Sequence, residues 1–286
     1  MKKLMRRMMY ALASTVALYA LAVVASAQLA GCEAAPHMLK DRAADEPAQL
    51  RVMTFNVHYE SQPAASADAI RRGDADIICL QESTPAWEEY ARTTLAAQYP
   101  YIIFHHETYA GGMAVISRHP VKELFYDQPP ASWFHGLAFA AESPVGEVKL
   151  LNIHLRPPAK GRLGYLNYFR LSTIHPQEIE HLHTKLAAIQ PSLPAIVLGD
   201  FNEGDDGAAM GWLERRNFID ALTPFDSSTK TWHGKALGIS LSERCDHILF
   251  PAQLRCVDAA VLKLGASDHY PVVAVMEKRG ASSAAK

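Results

Sequence analysis

The chain has 286 residues, of which 49% are hydrophobic and 20% charged, and its formal net charge is -2. This composition excludes a largely disordered chain, and the length suits one large α/β domain or two small ones. The small net charge excludes a broad basic surface for coating nucleic acid, but it leaves room for local phosphate contacts.

The N-terminal segment differs from the rest. Met1–Met9 carries Lys2, Lys3, Arg6 and Arg7, and Tyr10–Ala27 is apolar and rich in Ala, Val and Leu. A charged region followed by an apolar one is the layout of a bacterial export signal. The apolar run approaches the roughly 20 residues that span a bilayer, so a retained anchor is one alternative. Ala25-Ser26-Ala27 is an A-x-A cleavage site, which would give plain secretion. Leu29-Ala30-Gly31-Cys32 resembles a bacterial lipobox, and this is the favoured reading: Cys32 becomes a lipidated first residue that holds the protein at a membrane. Cleavage there removes the four cationic residues and leaves a more acidic mature chain. Residues 33–48 are polar, Ala/Pro-rich and without apolar period. The expected layout is a lipoprotein-type signal peptide over 1–31, a flexible tether over 32–48, one folded domain over 49–278 and a disordered tail over 279–286. The protein is expected to be an exported monomer.

From Leu50 the chain alternates strand-like and helix-like segments without internal repeat. Arg51–Val57 reads as a strand and contains Asn56, a residue disfavoured in strands unless its amide finds partners. Asp76–Leu80 is a second strand, with Cys79 expected as a buried free thiol. It ends at Leu80-Gln81-Glu82-Ser83, where Glu82 suits a helix cap or a hard-metal ligand. Pro85–Ala97 follows as a helix with proline in its first turn. Strands come next at Tyr101–Phe104, Gly112–Ser117, Leu137–Ala141 and Val148–His154; the second runs into Arg118.

Leu155–His175 reads as a long irregular loop that mixes Arg156, Lys160, Arg162 and Arg170 with Tyr165, Tyr168 and Phe169. Such a loop suits holding a phosphate and stacking on a base or a headgroup, against the plainer reading of a solvated loop with its aromatics packed down. Pro176–Gln190 and Gly207–Arg215 read as helices and Ala195–Leu198 as a buried strand. Cys245–Phe250 and Arg255–Leu262 are expected to pair as a hairpin, which makes a Cys245–Cys256 disulfide possible in an oxidising compartment. Pro271–Met276 is the last strand. The absence of a C-x-x-C pair argues against a thiolate zinc site. Many strands with fewer helices predict an α/β fold of two stacked sheets covered by helices.

Two short motifs carry the chemistry most directly. In Gly199-Asp200-Phe201-Asn202, Asp200 and Asn202 point the same way in extended backbone while Phe201 points to the core. A carboxylate and an amide side by side suit a metal-bound water or a phosphate oxygen; the bland reading is a turn. In Ser267-Asp268-His269 the adjacent Asp and His can form an oriented pair, in which a carboxylate raises the basicity of the imidazole. His154 ends one strand and Asp246 opens another. Each residue alone is weak evidence, since thirteen histidines are present. Together they place polar groups at the ends of apolar strands, where an α/β enzyme converges its catalytic groups.

The set TFNV (54–57), LQES (80–83), GGMAVISRHP (111–120), NIHL (152–155), GDFN (199–202), RCDHILF (244–250) and SDHYPV (267–272) resembles the endonuclease/exonuclease/phosphatase superfamily, the DNase-I-like fold. The resemblance implies a four-layer α/β sandwich, with two stacked, mostly antiparallel sheets flanked by helices. It implies that Glu82 and Asn56 bind a metal, with Asp268 as a further candidate ligand. Asp200 and Asn202 would position the water and the scissile phosphate. His269, oriented by Asp246 or Asp268, would act on the phosphate or the water, and His154 on a phosphate oxygen or the leaving group. Arg118 would add positive charge there, and, from the reading of the 155–175 segment rather than from the resemblance, Arg156 and Arg170 are expected to contact substrate. An all-oxygen ligand set points to Mg²⁺ or Mn²⁺. The implied reaction is in-line attack of water on a phosphodiester of nucleic acid or of a phospholipid headgroup. The alternative is a lipoprotein that keeps the fold as a binding module without catalysis. His247 departs from the family pattern, which often has an aromatic or Arg there, and this puts the substrate-side contacts of that strand in doubt.

Cys32→Ser should move the protein out of the membrane fraction of the producing bacterium; retention of the variant there would contradict lipidation at Cys32.

Overall fold

The computed structural model describes residues 37–42, 47–158, 164–236 and 239–280. The expected export signal, the lipidated Cys32, Lys160, Arg162 and the tail beyond residue 280 lie outside these residues.

Two six-stranded sheets form the domain. The first has the order β13-β14-β1-β2-β4-β3, built from β1 (Gln49–Asn56), β2 (Ile77–Gln81), β3 (Tyr101–His105), β4 (Met113–Ser117), β13 (Leu254–Val261) and β14 (Val272–Lys278). The second has the order β5-β6-β7-β8-β12-β9, built from β5 (Val121–Asp127), β6 (Gly136–Ala141), β7 (Val148–His154), β8 (Ala195–Asp200), β9 (Phe218–Asp220) and β12 (Asp246–Pro251). A separate two-stranded ribbon joins β10 (Trp232–Ala236) to β11 (Ile239–Glu243). Helices α1 (Ala67–Gly73) and α2 (Pro85–Tyr90) follow strands of the first sheet, and α3 (Gly164–Ala188) and α4 (Ala208–Glu214) belong with the second.

Each sheet is antiparallel except for one central parallel pair, β1/β2 in the first and β7/β8 in the second. Those pairs decide where the functional residues fall. Asn56 at the end of β1 is level with Gln81 at the end of β2, and His154 at the end of β7 is level with Asp200 at the end of β8. Antiparallel β12 starts at the same edge, so that Asp246 stands opposite Asp200.

Alternation of side chains then divides the core. Leu50 and Val52 of β1 face the space between the sheets, where they pack with Leu150, Ile196, Leu198 and Ile248. Met53 and Phe55 face outward into a second cluster with Ile70 and Trp87. On the far side Leu151, Ile153, Val197 and Phe201 pack under Ile179, Leu182 and Leu186 of α3. Helix, sheet, sheet and helix are therefore four layers with three apolar interiors. Gly199 sits in β8 at φ 149°, where a Cβ would meet the carbonyl oxygen of Ile153 at 2.0 Å. Only glycine tolerates both that conformation and that approach.

Three expectations are corrected. Residues 164–175 are the first half of α3, which runs to Ala188 through Pro176. Leu171, His175, Glu178, Ile179, Leu182 and Leu186 are buried at spacings of three and four, and two of these positions are polar, which hid the helical period in the sequence. β12 and β13 do not form a hairpin: β12 pairs with β8 and β9, β13 pairs with β14, and residues 252–253 lead from one sheet to the other. Cys245 and Cys256 are accordingly free thiols, as is the buried Cys79. Within the expected tether, residues 37–42 lie against the domain: His37 Nε2 is 2.5 Å from Asp258 Oδ1, and Arg42 pairs with Asp74 and Asp76. Among the described residues no helix is long and apolar enough to cross a membrane.

Candidate active site

Along the face between the sheets, each central strand changes from apolar to polar as it nears one edge. β1 runs Leu50, Val52, Thr54, Asn56; β7 runs Leu150, Asn152, His154; β8 runs Ile196, Leu198, Asp200. The first polar layer is a bridge between the sheets. Gln81 Nε2 donates to Asn152 Oδ1 at 2.6 Å, and Asn152 Nδ2 donates to the carbonyls of Leu80 and Ala114 at 3.0 and 3.2 Å. Thr54 Oγ1 joins Gln81. Every amide atom placed there finds a partner, as a buried polar layer requires.

The next layer is the site. Asp200 is 1% exposed and Asp246 fully buried. Asp200 Oδ2 accepts from Asn56 Nδ2 at 2.9 Å, and Oδ1 accepts from the backbone N–H of Asn202 at 2.8 Å. Asn202 has φ 50°, and its Nδ2 donates to the Leu155 carbonyl at 3.0 Å. His154 Nε2 and His269 Nε2 stand 3.5 and 3.7 Å from Asp200 Oδ2. His269 Nδ1 lies 2.8 Å from Asp246 Oδ2. The Phe134 ring stacks on His154 with centroids 4.0 Å apart. Glu82, at φ 59° just past β2, accepts from Asn56 Nδ2 at 3.0 Å and from the backbone N–H of Tyr59 at 3.1 Å.

Local hydrogen bonds hold these groups in place. Ser267 Oγ donates to the Asn56 carbonyl at 2.7 Å and accepts from the His269 N–H at 3.0 Å, which ties the histidine to β1. Thr231 Oγ1 accepts from the N–H groups of Cys245 and Asp246 at 2.9 and 3.1 Å.

Charge separates the two histidines. Burial alone would lower the pKa of His269, but Asp246 and Asp200 outweigh it and raise the value to about 10. His154 goes the other way: burial lowers its pKa against the pull of Asp200. The site therefore holds one imidazolium and one neutral imidazole at neutral pH, which suits two different roles. Burial pushes the Asp200 carboxyl up, with the His269 imidazole opposing.

Ligand atoms of Asp200, Asp246 and His269 lie within 4.8 Å of one another; with His269 carrying a proton on each ring nitrogen, the two carboxylates are the groups of this cluster that could hold a metal. Asp246 Oδ1 is buried without a hydrogen-bond partner, an orphan that a cation would satisfy. The residues present thus fit a hard divalent ion.

The structure brings together Asn56, Glu82, His154, Asp200, Asn202, Asp246 and His269, and separates others from them. Asn56 serves as a donor between Glu82 and Asp200, while its Oδ1 accepts from the His58 N–H. In this arrangement its oxygen does not face the carboxylates, as the expected ligand role needs. Asp268 is exposed and accepts from Trp232 Nε1 at 3.2 Å, so Asp246 and not Asp268 orients His269. Arg118 follows β4 at the opposite end of the first sheet, since Ser117 pairs with Ile77 at the start of β2; its guanidinium is engaged by Asp74 and Asp76. Arg156 follows His154 by two residues, with its guanidinium 4.4 Å over the Trp133 ring. Arg170 lies on the exposed surface of α3. His247 points to the outer face of its sheet, against Phe201, and bonds the Glu203 carbonyl at 3.1 Å. Sequence reasoning missed Ser267, Thr231, Phe134 and Trp133; only Ser267 lay inside a recognised motif.

A two-sheet sandwich with carboxylates and imidazoles converging at one edge defines an enzyme-type site on a DNase-I-like fold. The chain belongs to the Endonuclease/Exonuclease/phosphatase family, whose model matches residues 53–269. Members of that family are metal-dependent phosphoester hydrolases. Among solved structures, TDP2 of D. rerio complexed with single strand DNA product aligns with a TM-score of 0.61 at 17% identity, covering 80% of this chain and 99% of that one. The human Nocturnin catalytic domain with bound sulfate anion aligns at 0.60 and 17%, covering 81% and 94%. An endonuclease/exonuclease/phosphatase from Beutenbergia cavernae aligns at 0.59 and 19%, covering 84% and 74%. At these identities the likeness is one of fold. No curated protein matches the chain.

The raised pKa of His269 links the site to stability. A folded pKa above the free imidazole value of about 6.5 contributes stability in full below that pH and loses it as pH rises towards about 10. In metal-free protein, Tm should fall between pH 7 and pH 10, and Asp246→Asn should flatten that fall. An equal slope in the variant would contradict the pairing.

Proposed function

We propose that this chain is a divalent-metal-dependent phosphodiesterase that cleaves nucleic acid by in-line attack of water. The observation that carries the reading is the buried contact of Asp200 with both His154 and His269, the latter clamped by Asp246. A bound Mg²⁺ or Mn²⁺ would be held by Asp200 and Asp246, with Glu82 alongside, and would supply positive charge to the phosphate oxygens. Asp200 Oδ2 accepts the proton of the attacking water. His269, as an imidazolium, donates a hydrogen bond from Nε2 to a phosphoryl oxygen. The P–O bond to the sugar oxygen opposite the attacking water breaks, and that oxygen leaves with its electron pair and takes a proton from solvent; the neutral His154, against the ring of Phe134, bonds a phosphate oxygen or this leaving oxygen. Asn202 orients the phosphate.

The surroundings favour nucleic acid over a phospholipid headgroup. Trp133 is 47% and Tyr109 79% exposed. Trp133 lies under Arg156, and Tyr109 lies 6.2 Å from Tyr59, whose N–H holds Glu82. Flat rings with a cation beside a phosphate site suit stacked bases. The D. rerio TDP2 structure, with its single strand DNA product, supports the same substrate class. A lipidated Cys32 would hold the enzyme at a membrane outside the cytoplasm, as a monomer.

The test is a panel of single-stranded DNA, RNA, sphingomyelin, phosphatidylinositol phosphates and a chromogenic diester, each with EDTA and with added metal. EDTA should abolish turnover and Mg²⁺ or Mn²⁺ restore it, with the oligonucleotides cleaved fastest. Activity indifferent to chelator would overturn the mechanism. Preferential cleavage of sphingomyelin would move the substrate to phospholipid, and inactivity on every substrate would favour a binding module.

A further inference from the structure

Helix α3 sends a buried, charged network towards the site that none of the assigned roles uses. His175 is fully buried. Its Nδ1 is 2.7 Å from Glu203 Oε2, and its Nε2 is 2.8 Å from the Arg156 carbonyl oxygen. A carboxylate and a carbonyl only accept hydrogen bonds, so the ring must donate from both nitrogens and carry a charge. Glu203 is itself fixed. Its Oε1 accepts from the N–H groups of Ala209 and Met210 at 2.7 and 2.9 Å, and its Oε2 accepts from Ala208 at 3.1 Å. A Cβ on Gly207 would lie 2.3 Å from the Glu203 carboxyl carbon, so glycine there lets the side chain curl back over the start of α4. The Arg156 N–H donates to Glu178 Oε2 at 3.3 Å, and the Glu203 carbonyl accepts from His247.

The two ends of this clasp are one residue past Asn202 and two residues past His154. Asn202 spans the same gap through its bond to the Leu155 carbonyl. Its left-handed backbone (φ 50°) is a conformation that persists only where neighbours impose it. A clasp serving only to join α3 to α4 has no need to end on the two segments that carry reacting side chains.

We propose that His175 is a positioning residue: with Glu203 it holds the Asn202 and His154 segments at the separation the phosphodiester reaction needs. The inference rests on the phosphodiesterase reading, and the histidine also has a signature that is independent of turnover.

The experiment uses the full chain with Mg²⁺ and a chromogenic diester. His175→Gln keeps the reach and one donor, and Glu203→Gln removes the charge partner. Each should lower kcat by about 10- to 100-fold with KM within about threefold, as for other residues that orient reacting groups. The double variant should be no slower than the slower single. Unchanged kcat, a change in KM alone, or losses that multiply in the double variant would each overturn the proposal. In parallel, ¹H–¹⁵N spectra of the histidine rings of wild type and Glu203→Gln are recorded at pH 8. His175 should show both nitrogens protonated in wild type and lose that pattern in the variant, while the His154 ring signals shift. Unshifted His154 signals would overturn the positioning role even in a protein with no hydrolytic activity, whereas inactivity of wild type with the signals shifting as expected would overturn only the phosphodiesterase reading.

Discussion

The structure depends on holding the carboxyl groups of Asp200 and Asp246 and the imidazole of His269 together out of water. Each buried ion costs several kcal/mol in lost hydration, and mutual attraction offsets this only with good geometry and satisfied lone pairs. The chain meets that condition on almost every side. Asn56 and the Asn202 N–H donate to Asp200, and His269 donates to Asp246. Ser267 and Thr231 lock the backbones that carry the histidine and the second carboxylate. Asp246 Oδ1 is buried without a hydrogen-bond partner, a lone pair that a cation would satisfy.

Sheet topology makes this possible. The parallel pairs β1/β2 and β7/β8 bring the ends of four strands to one edge, and antiparallel β12 adds its beginning there. The inward faces of these strands grade from Leu, Val and Ile to Gln and Asn and then to Asp and His. The apolar part holds the sheets together. The amide layer of Gln81 and Asn152 is a fully bonded floor that separates the apolar core from the charges above it. Rigidity of the site thus follows from the same packing that gives the fold.

Much of this was legible in the sequence, because Asn, Glu, His and Asp residues, each weak evidence alone, recur at the ends of several apolar strands in one order. Asn56, Glu82, His154, Asp200, Asn202, Asp246 and His269 do converge. What failed were inferences that needed pairing partners. Arg118 belongs to a recognised motif, but it sits at the far end of an antiparallel strand, where Asp74 and Asp76 engage it. Cys245 and Cys256 lie on segments close in sequence that join different sheets. The helical character of 164–175 was hidden because the polar His175 occupies a buried position of the helix and Pro176 directly after it reads as a helix start. Orientation was equally invisible: nothing in the letters says which adjacent Asp serves His269, or that Asn56 turns its amide N–H₂ to two carboxylates.

The central claim is that the imidazolium clamped by Asp246 acts on the phosphate. Turnover of a chromogenic diester by His269→Ala, with circular dichroism as the check on folding, tests it most directly. A group of this kind contributes about 10²–10⁴-fold, so kcat should fall by that factor in a variant with an unchanged spectrum. A folded His269→Ala that turns over at a near-normal rate would contradict the account.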